Sequence, residues 1–120
     1  MINRNKVCIV GGAGHVGLPL GLAFSSKNFN VVLIDKDKNN TKKINEGKMP
    51  FIEEGCANLL KKMLSKKRVF ATNDLKEVKD SKFIIVCIGT PINNKLRPNL
   101  KNFLNFFRDL KKYLNKNHII

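Results

Sequence analysis

One stretch constrains this chain more than any other. Lys6-Val7-Cys8-Ile9-Val10 runs directly into Gly11-Gly12-Ala13-Gly14-His15-Val16-Gly17. A short apolar run ended by glycine reads as a strand buried on both faces. The glycines that follow have the spacing G-x-G-x-x-G and open an apolar segment, Val16 to Phe24, that reads as a helix on a sheet. Each glycine in such a turn has a separate task. Gly12 allows a tight turn, Gly14 lets backbone approach a pyrophosphate, and Gly17 lets the helix pack closely on the strand. Gly21 extends that close contact. The helix start offers free N–H groups and a partial positive charge to an anion. Pro19 falls in the first turn, where a missing N–H is tolerated.

The next segment sharpens this reading. Asn30-Val31-Val32-Leu33-Ile34-Asp35 is a second strand, and Asp35 stands 18 residues after Gly17. An acidic residue near that distance accepts hydrogen bonds from an adenosine ribose, and a carboxylate there repels a 2′-phosphate. The pair of signals predicts NAD rather than NADP, with Lys36 beside Asp35 tempering the preference. A third element is the apolar strand Lys82 to Ile88, ended by Gly89-Thr90-Pro91. In a doubly wound sheet the first and fourth strands are neighbours at the switch point, where ligands sit outside the carboxyl ends. Thr90 would then offer its hydroxyl to the cofactor. No G-x-x-x-x-G-K-[ST] occurs, which disfavours a P-loop nucleotide hydrolase.

The remaining chain alternates in the same way. Asp37 to Glu46 reads as a polar helix closed by Gly47, a C′ glycine. Met49 to Gly55 reads as a loop, and Leu59, Leu60, Met63 and Leu64 mark one face of a basic helix. Arg68 to Thr72 is a short strand. Asn73-Asp74 can cap a brief helical turn at Leu75 to Val78. Asn99 can cap a last helix, Leu100 to Leu114, with Leu100, Phe103, Leu104, Phe107 and Leu110 on one face. His118-Ile119-Ile120 reads as the first residues of a fifth main strand. Strands alternating with helices predict a parallel α/β sheet.

Composition bounds the alternatives. The chain has 120 residues, the size of one domain, and 42% of them are hydrophobic, too many for a disordered tail. No apolar run approaches the ~20 residues needed to span a bilayer. No signal-peptide pattern opens the chain, so the expected setting is cytoplasmic, with no membrane partner. The net charge of +14 favours anionic partners. Most of the excess is Lys, and Asn is also abundant, a pairing that reflects base composition as readily as binding. No specific nucleic-acid role is expected. Lys61-Lys62 and Lys66-Lys67-Arg68 read as a solvated face. Three cysteines with no C-x-x-C pair suggest neither a disulfide framework nor a metal site. Cys8 and Cys87 read as strand core. Cys56 follows a glycine at a helix start, where a thiol pKa can fall. It has no His partner and is not assigned as a nucleophile. His15 sits where the motif works through its backbone, so no catalytic residue is assigned.

The run from Val7 to Pro19 closely resembles the start of the UDP-glucose/GDP-mannose dehydrogenase family. Asn45 to Gly55 is similar to that family's loop N-x-G-x-x-P-I-x-E-P-G, and Cys87-Ile88-Gly89-Thr90-Pro91 to its strand ending in x-T-P. Three motifs in order, spread over residues 6 to 120, are far more specific than one. The wording is nearest the branch acting on UDP-N-acetylmannosamine or UDP-N-acetylglucosamine. The resemblance implies a Rossmann-type doubly wound parallel sheet over 1–120, cut at the start of its fifth main strand. It implies oxidation of a sugar C6 alcohol to a carboxylate with two NAD⁺, in polysaccharide biosynthesis. By similarity Gly14, His15 and Val16 would meet the pyrophosphate region, Asp35 the ribose, and Thr90 the middle of the site. Glu54 replaces the family's usual Pro, and Asn40 stands where many members have Arg or Lys.

The family's F-G-G-S-C-F-P-K-D and S-T-x-x-P-G-T segments do not occur here. Its second oxidation passes through a thiohemiacetal on the cysteine of the first segment. The expectation is therefore a cofactor domain that meets a UDP-sugar only together with a further C-terminal half. Homo-oligomerisation of a full-length enzyme is left open. Two alternatives stand beside it. One is a standalone NAD-binding module or split subunit. The other is a dehydrogenase of different substrates with the same cofactor architecture, such as 3-hydroxy acids, which the Met49–Gly55 loop disfavours.

Overall fold

The computed structural model describes residues 2–89 and 100–120. Strands β1 (Asn3–Val10), β2 (Asn30–Ile34), β3 (Val69–Thr72) and β4 (Ser81–Val86) form one sheet in the order β3-β2-β1-β4. Every pairing between them is parallel. Helices α1 (Gly17–Ser26), α2 (Lys38–Asn45), α3 (Cys56–Ser65) and α4 (Leu100–Lys111) complete it, with a 3-10 helix at Leu75–Asp80. This is the expected doubly wound architecture, with β1 and β4 adjacent as the switch point requires. Where a fifth strand is expected there is one isolated parallel bridge: Ile119 pairs with Phe83, donating to the Lys82 carbonyl (2.9 Å) and accepting from the Ile84 amide (2.8 Å).

Burial on both faces explains why the strands read as continuous apolar runs. Val7 and Ile9 of β1, with Val31 and Leu33 of β2, face α1 and α3, where Leu18, Leu22, Leu60 and Met63 are buried. Cys8, Val10, Val32 and Ile34 face the other way, toward Val78 and Leu110. Alternate side chains thus enter two separate cores. β1 starts earlier than its apolar run, because Asn3 pairs with Ser81. β4 ends at Val86, two residues before the apolar run does.

Local chemistry sets the helix ends. Asp37 caps α2 by accepting from the Asn40 amide at 3.0 Å, and Gly47 follows with φ +82 as the C′ residue. Asp74 caps the 3-10 helix by accepting from the Lys76 amide. Asn45, at the end of α2, covers the outer edge of β3: its side chain donates to the Ala71 carbonyl and accepts from the Ala71 amide, both at 2.8 Å. That contact blunts a bare sheet edge. Lys6, almost fully buried, pairs with Glu77 (3.2 Å) and Asp80 of the 3-10 helix. Burial alone would lower its pKa, but hydrogen bonds to Asp80 and Glu77 and their charges leave it raised.

The last helix is only partly covered. Of the apolar face Leu100, Phe103, Leu104, Phe107 and Leu110, Leu100 is 56% and Leu104 54% exposed. Phe106, Phe107, Leu110, Tyr113 and Leu114 make the contact with the sheet. The helix has an apolar arc wider than the sheet can cover, and the covered part is displaced toward its C-terminal end. The capping residue expected for it, Asn99, lies outside the described residues.

Candidate functional site

The turn after β1 is anchored to the end of β2. The amides of Gly11 and Gly12 both donate to the Ile34 carbonyl, at 2.8 and 3.0 Å. The Ala13 amide donates to Asp35 Oδ2 at 3.1 Å. The Gly14 amide turns back to the Gly11 carbonyl at 3.2 Å, and α1 begins with Leu18 donating to the Gly14 carbonyl. Between these, the amides of His15, Val16 and Gly17 have no backbone acceptor among the described residues. Three consecutive free donors at a helix start form an anion cradle.

The glycines divide their work differently from the expected assignment. Gly11, not Gly12, holds the left-handed conformation, with φ +81, and a Cβ on it would strike the Cys87 carbonyl. Sequence reasoning passed over Gly11 because the motif spacing starts at Gly12, although the glycine pair itself was the available signal. Gly12 is needed for close packing instead: a Cβ there would lie 2.7 Å from Leu33 Cβ. Gly17 packs against the Gly11 carbonyl, and Gly21 against Leu33 and Ile9, as close helix–strand contact requires. At Gly14 a Cβ would meet only the Gly11 carbonyl oxygen, at 3.4 Å. A side chain at Gly14 would therefore fill the space beside the turn rather than collide with the fold.

That space is a cleft of about 450 Å³ outside the carboxyl ends of β1, β2 and β4. Its volume falls within the range of small-molecule sites. Gly11, Gly14 and Asp35 border it, facing Phe103 and Phe106 of α4. Asp35 is held on several sides. Its Oδ1 accepts from the Asp37 amide (3.0 Å), its amide donates to the Thr72 carbonyl (3.1 Å), and its carbonyl accepts from Asn73 Nδ2 (2.9 Å). It is thus the strand-end turn residue and the cleft's acidic group at once. The structure brings Gly14 and Asp35 to the cleft wall. Gly12 and Gly17 are buried behind it, and His15 and Val16 are exposed at the start of α1. The His15 ring stacks on Phe51 (4.1 Å between centroids, 26° between planes), in the loop that precedes α3. Neither ring is among the residues that border the cleft. Thr90 lies outside the described residues.

Leu75, Asn73 and the two phenylalanines were not singled out as site residues. Leu75, Asn73 and Lys36 also border the cleft, so both polar and apolar groups meet there. No local motif marks them, since folding alone brings α4 beside the end of β2.

The cysteines separate by environment. Cys8 is fully buried, and burial pushes its thiol up to about 12. Cys56 does begin α3, but burial and the charge of Glu53 push its thiol up, not down. Cys87 lies just beyond β4 rather than within it: it is half-buried, packs against the core under α1 and α3 and also borders the cleft, with its thiol raised by burial. None has the lowered pKa of an activated nucleophile. Among the described residues no group of His, Cys, Asp and Glu could hold a metal ion. Among them, too, no helix is long and apolar enough to cross a membrane. Lys61, Lys62, Lys66 and Lys67 are exposed, as a solvated face should be, whereas Arg68, expected among them, is half-buried and donates to the Asn28 carbonyl at 3.2 Å.

A parallel doubly wound sheet with a glycine turn and a strand-end acid at its switch point defines a dinucleotide-binding domain. Residues 5–120 match the model of the UDP-glucose/GDP-mannose dehydrogenase family, NAD binding domain, and the chain belongs to that family. It is 35% identical over 105 residues to an uncharacterized protein of Methanocaldococcus jannaschii, covering 88% of this chain and 12% of that one. It is 34% identical over 82 residues to the UDP-N-acetyl-D-mannosamine dehydrogenase of Pyrococcus horikoshii, covering 68% of this chain and 20% of that one. The structure of UDP-D-ManNAc dehydrogenase from Pyrococcus horikoshii superposes with a TM-score of 0.86 at 27% identity, over 95% of this chain and 27% of that one. The chain therefore spans an eighth to about a quarter of these relatives. Its cofactor is NAD, and the family is one of nucleotide-sugar oxidoreductases.

Proposed function

We propose that this chain supplies the NAD⁺ site of a dehydrogenase that oxidises the C6 alcohol of a UDP-sugar. The substrate type is UDP-N-acetylmannosamine or UDP-N-acetylglucosamine, and two NAD⁺ accept the electrons. The observation that carries the reading is that Gly14 and Asp35, far apart in sequence, border one cleft outside the strand ends. In this reading the amides of His15, Val16 and Gly17 receive the pyrophosphate, with Gly12 and Gly17 holding the turn. Asp35 accepts the adenosine ribose hydroxyls, and Phe103, Phe106 and Leu75 supply apolar surface for the base. Bound there, NAD⁺ supplies the hydride acceptor. By the family resemblance, Thr90 would offer its hydroxyl to the cofactor. The similarity to a mannosamine enzyme supports the choice of sugar.

Cofactor choice tests the site. Titration calorimetry should find NAD⁺ bound at least ten-fold more tightly than NADP⁺, about 1.4 kcal/mol. Equal affinities would remove Asp35 from the ribose site. The alternative reading, an NAD-binding module without its own catalysis, differs in turnover. Oxidation needs a base for the hydroxyl proton and, for the second step, a nucleophile. No described cysteine has the environment of one. The 120 residues should therefore bind NAD⁺ and give a flat NADH absorbance trace with each UDP-sugar. A downstream half supplied in trans should restore turnover if the dehydrogenase reading holds, and leave the trace flat if the module reading does.

A further inference from the structure

We propose that Asp35 is a positioning residue for the pyrophosphate turn as well as the acceptor of ribose hydroxyls, so that one carboxyl group serves both halves of the cofactor site. The inference rests on the reading of the cleft as the NAD⁺ site.

The turn has three successive anchors on β2, and they are not equivalent. Gly11 and Gly12 are held by the Ile34 carbonyl, a backbone group that any residue would provide. Ala13 alone is held by a side chain, Asp35 Oδ2, at 3.1 Å. A carboxylate makes this a charge-assisted bond, stronger than a neutral one. Ala13 is itself buried, 4% exposed, so its N–H has little access to water as a substitute. The residue after it is Gly14, the one glycine of the turn whose side-chain direction is open. The bond at Ala13 is thus the last anchor from outside the turn before the three free amides, since the Gly14 amide that follows donates only within the turn, to the Gly11 carbonyl. Without it, the peptide between Gly12 and Ala13 loses the partner of its N–H, and the turn is tied to the end of β2 only through Gly11 and Gly12.

The carboxylate can serve as an anchor because it is itself immobilised. Its second oxygen accepts from the Asp37 amide, and its backbone is tied to Thr72 and Asn73. Asn73 also reaches Thr41 of α2 at 3.1 Å. A carboxylate has lone pairs for more than two partners. Asp35 can therefore keep Ala13 and Asp37 while accepting from a ribose.

A ligand with phosphates and no ribose separates the two roles. Inorganic pyrophosphate, titrated into the ¹⁵N-labelled protein, should shift the amides of His15, Val16 and Gly17. Removing the negative charge of Asp35 should by electrostatics alone strengthen pyrophosphate binding. If Asp35 positions the turn, Asp35→Ala should instead weaken it about five-fold or more and speed hydrogen exchange at Ala13. Asp35→Asn keeps an acceptor for the Ala13 amide, so its pyrophosphate affinity should stay at or above that of the unaltered protein while NAD⁺ affinity falls. If Asp35→Ala does not fold, Asp35→Ser takes its place in the comparison. Two results overturn the proposal: undiminished pyrophosphate binding by the truncated variant, or equal weakening in Asp35→Asn. Failure of the unaltered protein to bind either NAD⁺ or pyrophosphate would overturn the site reading itself, and this one with it.

Discussion

The face of the sheet under α1 and α3 and the face under α4 are built to different densities. On the first, thirteen described residues are buried in one cluster, and the helices contribute Leu18, Leu22, Cys56, Leu60 and Met63. On the second, seven are buried, and only Val78 and Leu110 come from the covering segments. Even the sheet shows through, since Phe70 of β3 is 44% exposed. The glycine turn is founded on the dense face, through Gly12 and Gly21 against Leu33. The aromatic wall of the cleft stands on the sparse one. Such an arrangement puts the glycine turn on densely packed ground and leaves the aromatic wall of the cleft on an element with one deep anchor. Binding can then tighten the second face without disturbing the first.

The comparison breaks most directly at Leu33. It is fully buried, touches two glycines of the turn and α1, and lies in the densest packing. Leu33→Ala should cost about 2–5 kcal/mol of global stability, measured by urea unfolding. A loss under about 1 kcal/mol would mean the dense face relaxes freely and is not the foundation of the fold.

Gly14→Val tests whether the turn's solvent side is reserved for ligand. NAD⁺ affinity should fall at least a hundred-fold, about 2.7 kcal/mol. The urea midpoint should move little, because the added Cβ meets only one backbone oxygen, at 3.4 Å. A variant that unfolds would place Gly14 among the packing glycines with Gly12 and Gly17.

Leu110→Ala should act locally. Leu110 is the sole fully buried residue of α4. Its truncation should cost about 2 kcal/mol and appear first as faster hydrogen exchange in α4, with β1 and β2 still protected. NAD⁺ should restore part of that protection. Equal loss of protection in β1 would show that the faces are one cooperative unit.

Much of this was legible in the residues, and the remainder has identifiable causes. The strands could be read because burial on both faces leaves unbroken apolar runs, and Asp37, Gly47 and Asp74 declared their ends by local capping chemistry. The pairing of Gly14 with Asp35 was legible because the motif specifies a distance. The contacts of Lys6 with Glu77 and Asp80, and of Asn45 with Ala71, were not, because their partners lie 71, 74 and 26 residues away. Which part of α4 the sheet covers was not legible, for a different reason. Its apolar residues run from Leu100 to Leu110, and only the sheet decides among them, by covering Phe106, Phe107 and Leu110. Phe103 and Phe106 were invisible as site residues on the same account.

Alkaline pH should weaken the protein through both cores' shared strand. Cys8 ionises near its ordinary value of 9 when unfolded but near about 12 when folded, mainly because of burial. The unfolded chain therefore releases the proton first, and stability complete below pH 9 is lost as pH rises toward 12. Lys6 acts in the same direction. Its folded pKa is raised above 10.5 by its pairing with Asp80 and Glu77, against the pull of burial, so its contribution disappears above that value. Urea midpoints should be level up to about pH 8.5 and decline by about pH 10. Cys8→Ala should shift the whole curve down but flatten the decline. A decline unchanged in Cys8→Ala would assign it to Lys6 instead.

The smallest effect is expected at Leu104, and it bears on the comparison because the residue's spacing alone would bury it. Leu104 is 54% exposed and sits with Leu100 on the side of α4 turned away from the sheet. Leucine is a good helix former, so the substitution must not be confounded by propensity; Leu104→Lys keeps propensity and removes the apolar surface. Exposed positions without a special contact change stability by no more than about 0.5 kcal/mol. Unfolding of the monomer should therefore be nearly unaltered, and NAD⁺ affinity unchanged, since Leu104 does not border the cleft. Any effect should be on association: with Leu100 at 56% exposure beside it, the pair forms an apolar patch, and a lysine within it should lower self-association in sedimentation. A loss of several kcal/mol from Leu104→Lys, of the size expected at Leu33, would mean that α4 buries its N-terminal stripe against the sheet and that the two faces are equally packed.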